Sequence, residues 1–267
     1  MRKRSAVAAA VAGAGVGVLG GLIGLGGAEF RLPLLVGFFA NPLRRAIGLN
    51  LGMSLVTVLA ALAGRLAAGS GAPAVPLHVI VALIGGGVAG AYIGASWLIG
   101  ASSHALWRAV RGLLAVIGVL LLIEAFVPWG SGGLVTASIA QAMVGVVAGV
   151  LIGVVSSLLG VAGGELIIPT LVFGFGIDIK AAGTASLMIS VPTILMGLWR
   201  QASSDLRPTA EELTRIVVPM SAGSVVGAVV GAMLIAFVPG ASLKAVLGLV
   251  LIWSAARLRG HAPEAAG

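Results

Sequence analysis

The sequence predicts an all-α fold: a polytopic helical membrane protein made of two repeats inverted relative to one another. Three observations carry that expectation. Of 267 residues, 59% are hydrophobic and only 9% are charged, whereas a soluble surface needs roughly 25–35% ionisable residues. Apolar runs follow one another from end to end, each of about 20 residues, the length that crosses a bilayer core as a helix. Residues 24–35 are also written again at 160–171, an offset of 136, with five of 12 positions identical: Gly24/Gly160, Gly27/Gly163, Glu29/Glu165, Pro33/Pro169 and Leu35/Leu171. The runs do not alternate with a period of two, which excludes a membrane β-barrel.

The predicted apolar segments are 6–25, 28–39, 46–68, 77–100, 105–127, 134–160, 164–176, 181–199, 214–238 and 242–258. The first follows Met1-Arg2-Lys3-Arg4 and has the outline of a signal peptide. It runs on into the first glycine cluster, so it is read as a retained span. Segments 28–39 and 164–176 are too short to cross a core of about 30 Å as helices. Both follow the repeated glycines, and each is read as the return arm of a glycine-broken hairpin.

The helix after each hairpin opens on a basic-Ala-x-Gly step. Arg45-Ala46-Ile47-Gly48 answers Lys180-Ala181-Ala182-Gly183, and Gly64-Arg65 answers Trp199-Arg200, once one residue is dropped. Gly86, Gly90 and Gly94 answer Gly223, Gly227 and Gly231, and Arg108 to Gly112 answers Lys244 to Gly248. Glycines four apart give a helix a smooth face for close crossing, so these ladders are packing seams. The chain therefore divides into a first repeat at 1–127, an uncharged linker at 128–133 and a second repeat at 134–267. Each repeat is a glycine-broken helical hairpin plus three spanning helices.

Orientation follows from the basic residues. If each hairpin returns to its starting side and the N-terminus is cytoplasmic, Arg2, Lys3, Arg4, Arg44, Arg45, Arg108, Arg111, Arg200, Arg207, Arg215, Arg257 and Arg259 lie inside. Arg65, Lys180 and Lys244 then lie outside, a division of 12 to 3, with Arg31 within the membrane. Single crossings would give 9 to 6. The first arrangement is preferred; it inverts the second hairpin relative to the first and places both termini in the cytoplasm of a prokaryotic cell.

The net charge of +8 comes from residues scattered singly or in pairs at span ends, a topology signal rather than a nucleic-acid face. The absence of cysteine excludes disulfides and thiolate chemistry. His78, His104 and His261 stand apart, without the spacing of metal ligands. Gly24-Leu25-Gly26-Gly27 has no βαβ context and no following Gly-Lys-Ser/Thr, so it is not a phosphate loop. No metal, cofactor or catalytic residue is expected. The expected partners are a small anionic substrate and the lipid bilayer, with a homodimer left open. Arg200 to Arg215, with Asp205, Glu211 and Glu212, reads as a solvated cytoplasmic loop carrying a short surface helix.

The candidate site residues lie in and beside the repeated clusters. A carboxylate at mid-membrane depth is costly when charged, so Glu29 and Glu165 can take up and release protons. The competing reading makes each a cap on the helix that begins after the glycines. Gly26, Gly27, Gly163 and Gly164 expose backbone where the helices break. Arg31, answered by Ile167, either pairs with Glu29 or offers its guanidinium to an anion. Asn50, Ser54 and Thr57 in the first half, and Thr184, Ser186 and Ser190 in the second, can line a cavity wall. Alternatively, their hydroxyls bond their own backbones.

The doubled glycine cluster with its downstream proline (Gly26-Gly27 to Pro33, Gly163-Gly164 to Pro169), the basic-Ala-x-Gly steps and the hydropathy of both halves resemble the TauE/SafE family of membrane transporters. The resemblance covers nearly the whole chain. The family commonly has an apolar residue after its glycines, where this chain has Glu29 and Glu165. The resemblance implies export of sulfite, a sulfonate such as sulfoacetate, or a related organic acid. With no nucleotide-binding domain, a proton gradient acting through the two glutamates is the expected energy source, and alternating access of two inverted halves the expected mechanism. A passive anion channel is the alternative. An intramembrane enzyme using the paired glutamates as acid and base has less support, because no nucleophile or metal cluster accompanies them.

Overall fold

A computed structural model describes residues 2–39, 41–68, 75–98, 133–201 and 209–257, with short pieces between 112 and 126. All regular structure among them is helical. The first repeat contains α1 (Arg2–Ile23), α2 (Ala28–Pro33) with a π-helical turn at Leu34–Phe38, α3 (Leu43–Ala67) and α4 (Leu77–Leu98). The second contains α5 (Ser138–Leu159), α6 (Gly164–Pro169) with a π-helical turn at Thr170–Gly174, and α7 (Ile179–Gln201). It continues through α8 (Ala210–Glu212), a π segment at Leu213–Val217, α9 (Val218–Leu234) and α10 (Gly240–Arg257). Most of segment 105–127 and linker residues 128–132 lie outside the described residues, as do 202–208. Among the described residues, six helical stretches are long and apolar enough to cross a membrane. They turn large apolar side chains such as Val11, Val81, Val147 and Val226 outward, an arrangement suited to lipid. The chain is a multi-pass helical membrane protein.

The repeated motif folds the same way twice. Gly24, Gly27, Gly160 and Gly163 all have positive φ (96°, 67°, 66° and 79°), a conformation open chiefly to glycine. These are the cluster positions that keep glycine in both copies, whereas Gly26, at ordinary φ, is answered by Ala162. The Leu25 N–H donates to the Gly20 carbonyl and the Val161 N–H to that of Ser156, both at 3.0 Å, so α1 and α5 end in the same six-residue closure. Pro33 and Pro169 lack an N–H for the helical ladder, and at each the helix widens into its π turn.

Both clusters turn the chain back. Leu35 shares an apolar cluster with Ala9, Ala46, Leu49 and Met53, at the end of the fold where α1 begins. In the second repeat the Leu134 and Val135 N–H groups, just before α5, donate to the carbonyls of Phe173 (3.2 Å) and Gly174 (3.0 Å). The end of that hairpin thus lies beside its beginning.

The long helices fall into two opposed sets. Gly13, Gly17 and Gly21 of α1 lie against the backbone of Met220, Ser224 and Ala228 of α9 in rising order, so these helices are parallel. Gly86, Gly90 and Gly94 of α4 lie likewise against Val146, Val150 and Val154 of α5. Helix α3 runs with α9, since Ala46 and Leu49 cluster with Ile216 and Met220 while Gly64 abuts Ala232. Helix α7 runs with α4, pairing Thr193 with Gly87 and Arg200 with Ser96. Helices α3 and α7 are antiparallel: Leu51 abuts Gly197, whereas Arg65 bonds Thr184. Each of α1, α3 and α4 therefore opposes its counterpart, α5, α7 and α9.

The same contacts correct the register of the repeat. Gly24 lies against Gly183, and Gly160 against Ile47. This reciprocity makes Ile47 the counterpart of Gly183 and keeps the offset at 136 through α3 and α7. Arg45 thus answers Ala181, and Arg65 answers Gln201 rather than Arg200. Chain contacts at the hairpin tips fix the register there, whereas a basic residue at a helix end can shift one place with little effect on packing.

Candidate functional site

At the middle of the fold the two clusters touch. A Cβ added to Gly26 would come 2.5 Å from that of Ala162, and these residues are counterparts, so the pseudo-two-fold axis passes between them. Ser54 and Val58 of α3 complete the contact.

Around this point polar groups serve two equivalent carbonyls differently. Arg31, fully buried, donates from Nη2 to the Gly26 carbonyl and to Ser54 Oγ (3.3 Å), and from Nη1 to Thr57 Oγ1 (2.9 Å). In the second repeat Ser190, the counterpart of Ser54, donates directly to the Ala162 carbonyl at 2.7 Å. The guanidinium is therefore an insertion between hydroxyl and carbonyl that Ile167 does not make. Through these bonds Arg31 braces α2 against α3.

Asn50, fully buried, donates from Nδ2 to the carbonyls of Ala28 (2.9 Å) and Gly160 (3.0 Å), tying both hairpins to α3. Its counterpart Ser186 lies beside Gly164, where a Cβ would come 3.0 Å from Ser186 Oγ and 3.2 Å from the Gly24 carbonyl. Asn50 Oδ1 and Ser186 Oγ are buried acceptors without a hydrogen-bond partner, at equivalent places on either side of the axis. Ser54, Thr57 and Thr184 also donate to the carbonyls of Asn50 (2.8 Å), Met53 (2.9 Å) and Lys180 (3.2 Å), one turn back. Those hydroxyls follow the backbone-bonding alternative.

Glu165 is buried in the first turn of α6, all six residues of which are buried. Glu29 stands at the equivalent place in α2, and its side chain lies outside the described residues. Beside it, Phe30 stacks on Trp253 of α10 with ring centroids 5.3 Å apart. Gly27 and Gly163 are the residues preceding α2 and α6, and a Cβ at Gly27 would overlap Val16.

Sequence reasoning missed Arg65, which it placed in the outer charge count. Arg65 is fully buried and donates to the carbonyls of Gly21 (3.1 Å), Leu22 (3.0 Å) and Lys180 (3.2 Å) and to Thr184 Oγ1 (3.0 Å). Carbonyls at a helix C-terminus lack intrahelical donors, and Arg65 supplies them for the last turn of α1 while reaching α7. The signal for this lay beside it: helix α1 ends on glycines, with no basic residue of its own.

At the other end, Arg45 pairs with Glu212 at 2.7 Å. Thr209 and Glu212 form a capping box on the expected short surface helix. Arg200 lies over the Tyr92 ring, 5.5 Å from its centroid, and donates to Ser96 Oγ at 3.1 Å.

Neither a curated protein nor a solved structure matches the chain. The family model described as "Sulfite exporter TauE/SafE" matches residues 1–121 and 144–265, nearly all of it. The chain, with its doubled hairpins, belongs to the sulfite exporter TauE/SafE family of membrane transporters.

Proposed function

We propose that this protein is a secondary active transporter for a small anion: sulfite, a sulfonate such as sulfoacetate, or a related organic acid. It moves the anion across the cytoplasmic membrane by alternating access between two inverted halves. One observation carries the reading: two glycine-broken hairpins meet at Gly26 and Ala162 in the middle of a bundle whose equivalent helices run in opposite directions. Broken helices at the interface of inverted repeats are where transporters place substrate and coupling-ion sites. Export is taken from the family.

The chemistry of the centre suits an anion released by protonation. Arg31 supplies positive charge on the first side, with Ser54 and Thr57 around it. Glu165 on the second side, and Glu29 in the equivalent position, carry the protons in this reading. A thermal-shift series with sulfite, sulfoacetate and acetate tests the substrate class. A ligand at about 100 times its dissociation constant adds about 2.7 kcal/mol; stabilisation by none of the sulfur anions would contradict the proposal.

A further inference from the structure

Resting on the transporter reading, we infer that the moving bodies are not the two repeats but two intertwined bundles: α1, α2, α3 and α9 against α5, α6, α7 and α4. The third long helix of each repeat has changed sides. Helix α4 leaves α3, which precedes it in the chain, and packs on α5 and α7; helix α9 leaves α7 and packs on α1 and α3.

The seams that hold each bundle are of a kind that does not slide. Along α1 and α9, a Cβ at Gly13, Gly17 or Gly21 would overlap the carbonyl oxygen of Met220, Ser224 or Ala228. One at Gly223, Gly227 or Gly231 would overlap that of Ala10, Ala14 or Val18. Helices α4 and α5 repeat this with Gly86, Gly90 and Gly94 on one side and Gly149 and Gly153 on the other. Backbone lies on backbone over three turns from both directions, and interlocked packing of this density transmits displacement instead of deforming.

Between bundles the contacts are shorter and more scattered. Helices α3 and α7 meet through side chains: Leu51 on Gly197, and Arg65 with Thr184 and the Lys180 carbonyl. The hairpin tips touch at single places rather than along three turns: backbone meets backbone where Gly24 lies on Gly183 and Gly160 on Ile47, Gly26 meets Ala162, and Asn50 bonds the Gly160 carbonyl. Side-chain bonds and point contacts are what a rigid-body rotation exchanges. The boundary between the bundles also passes through the cluster contact where the substrate is proposed to sit.

The cysteine-free chain allows a direct test by disulfide pairs. Ala82→Cys with Gly145→Cys joins α4 to α5, where the two Cβ positions lie 3.0 Å apart. Gly64→Cys with Ala232→Cys joins α3 to α9 at 2.9 Å. Both pairs link the first repeat to the second, yet each lies within one bundle. Leu51→Cys with Gly197→Cys links the repeats across the bundle boundary. Sulfite flux into proteoliposomes is measured oxidised and after reduction. The two within-bundle disulfides are expected to leave flux unchanged, and the α3–α7 disulfide to abolish it until reduced. Loss of flux on oxidising the Ala82/Gly145 or Gly64/Ala232 pair, restored by reductant, would overturn the bundle assignment and leave the transporter reading intact, as would full flux through the oxidised Leu51/Gly197 pair. A wild-type protein that moves neither sulfite nor sulfoacetate would overturn both.

Discussion

Gly26 lies against Ala162, its own counterpart in the other repeat, with room for one methyl group between them. A residue that touches its equivalent sits on the symmetry axis. Adding a methyl there opposes two methyls within 2.5 Å of one another. Gly26→Ala should therefore destabilise the protein by about 1–3 kcal/mol, the usual cost of overpacking. The exchange Gly26→Ala with Ala162→Gly should recover most of the loss, because the pair again holds one methyl. Thermal unfolding in detergent measures both; an exchange variant no better than the single one would place the strain elsewhere.

The ladders make a second contrast within one helix. A Cβ on Gly86 would overlap the Val146 carbonyl, whereas one on Gly85 meets nothing within 4 Å. Gly85→Ala should be neutral or stabilising by up to about 1 kcal/mol from helix propensity alone. Gly86→Ala should force α4 from α5 and sharply reduce folded yield. Equal melting temperatures would refute the packing described.

Arg65 bonds three carbonyls and a hydroxyl from inside the bundle. Replacing it with Met keeps much of the length but strands those acceptors, each costing about 1–3 kcal/mol when buried unsatisfied. Arg65→Met should lose most folded protein, and Arg65→Lys should recover only part, since an ammonium cannot fork between α1 and α7 as a guanidinium does. Size-exclusion profiles and melting curves read this directly. Wild-type stability in Arg65→Met would make the residue a surface charge, as its count from sequence implied.

Topology is tested by single cysteines at exposed positions. Leu134→Cys, Asp178→Cys and Ser242→Cys should react with an impermeant maleimide from outside the cell, and Ala210→Cys only after the membrane is opened. Leu134 and Asp178 bracket the second hairpin, whose arms are joined by the Leu134–Phe173 and Val135–Gly174 bonds. Labelling of those two from opposite sides would make that hairpin a single crossing.

Much of this architecture was legible from the repeat. Two glycines identical in both copies marked the left-handed turns, and the prolines marked where each helix widens. The ladders announced close seams. What they could not announce was the partner across each seam, because a smooth face suits any other smooth face. The exchange of α4 and α9 therefore emerges only from contacts. The site was legible in residue type and less so in role. Asn50, Ser54, Thr57 and Ser190 do surround the clusters, but most of their bonds hold backbone. Arg31 bonds the nearby Gly26 carbonyl and also the Ser54 and Thr57 hydroxyls of α3, which are distant in the chain and could not be read from spacing.

The central claim is that the glutamates at equivalent places in the two hairpins couple an anion to protons. Glutamine keeps the shape of each side chain and most of its hydrogen bonding but removes the titration. The decisive measurement is anion accumulation against its gradient in proteoliposomes under an imposed pH difference, for wild type, Glu165→Gln and Glu29→Gln. We expect wild-type accumulation, and in each variant loss of uphill transport with folding and anion-induced stabilisation retained. Wild-type accumulation in both variants would contradict proton coupling and leave the glutamates as helix caps.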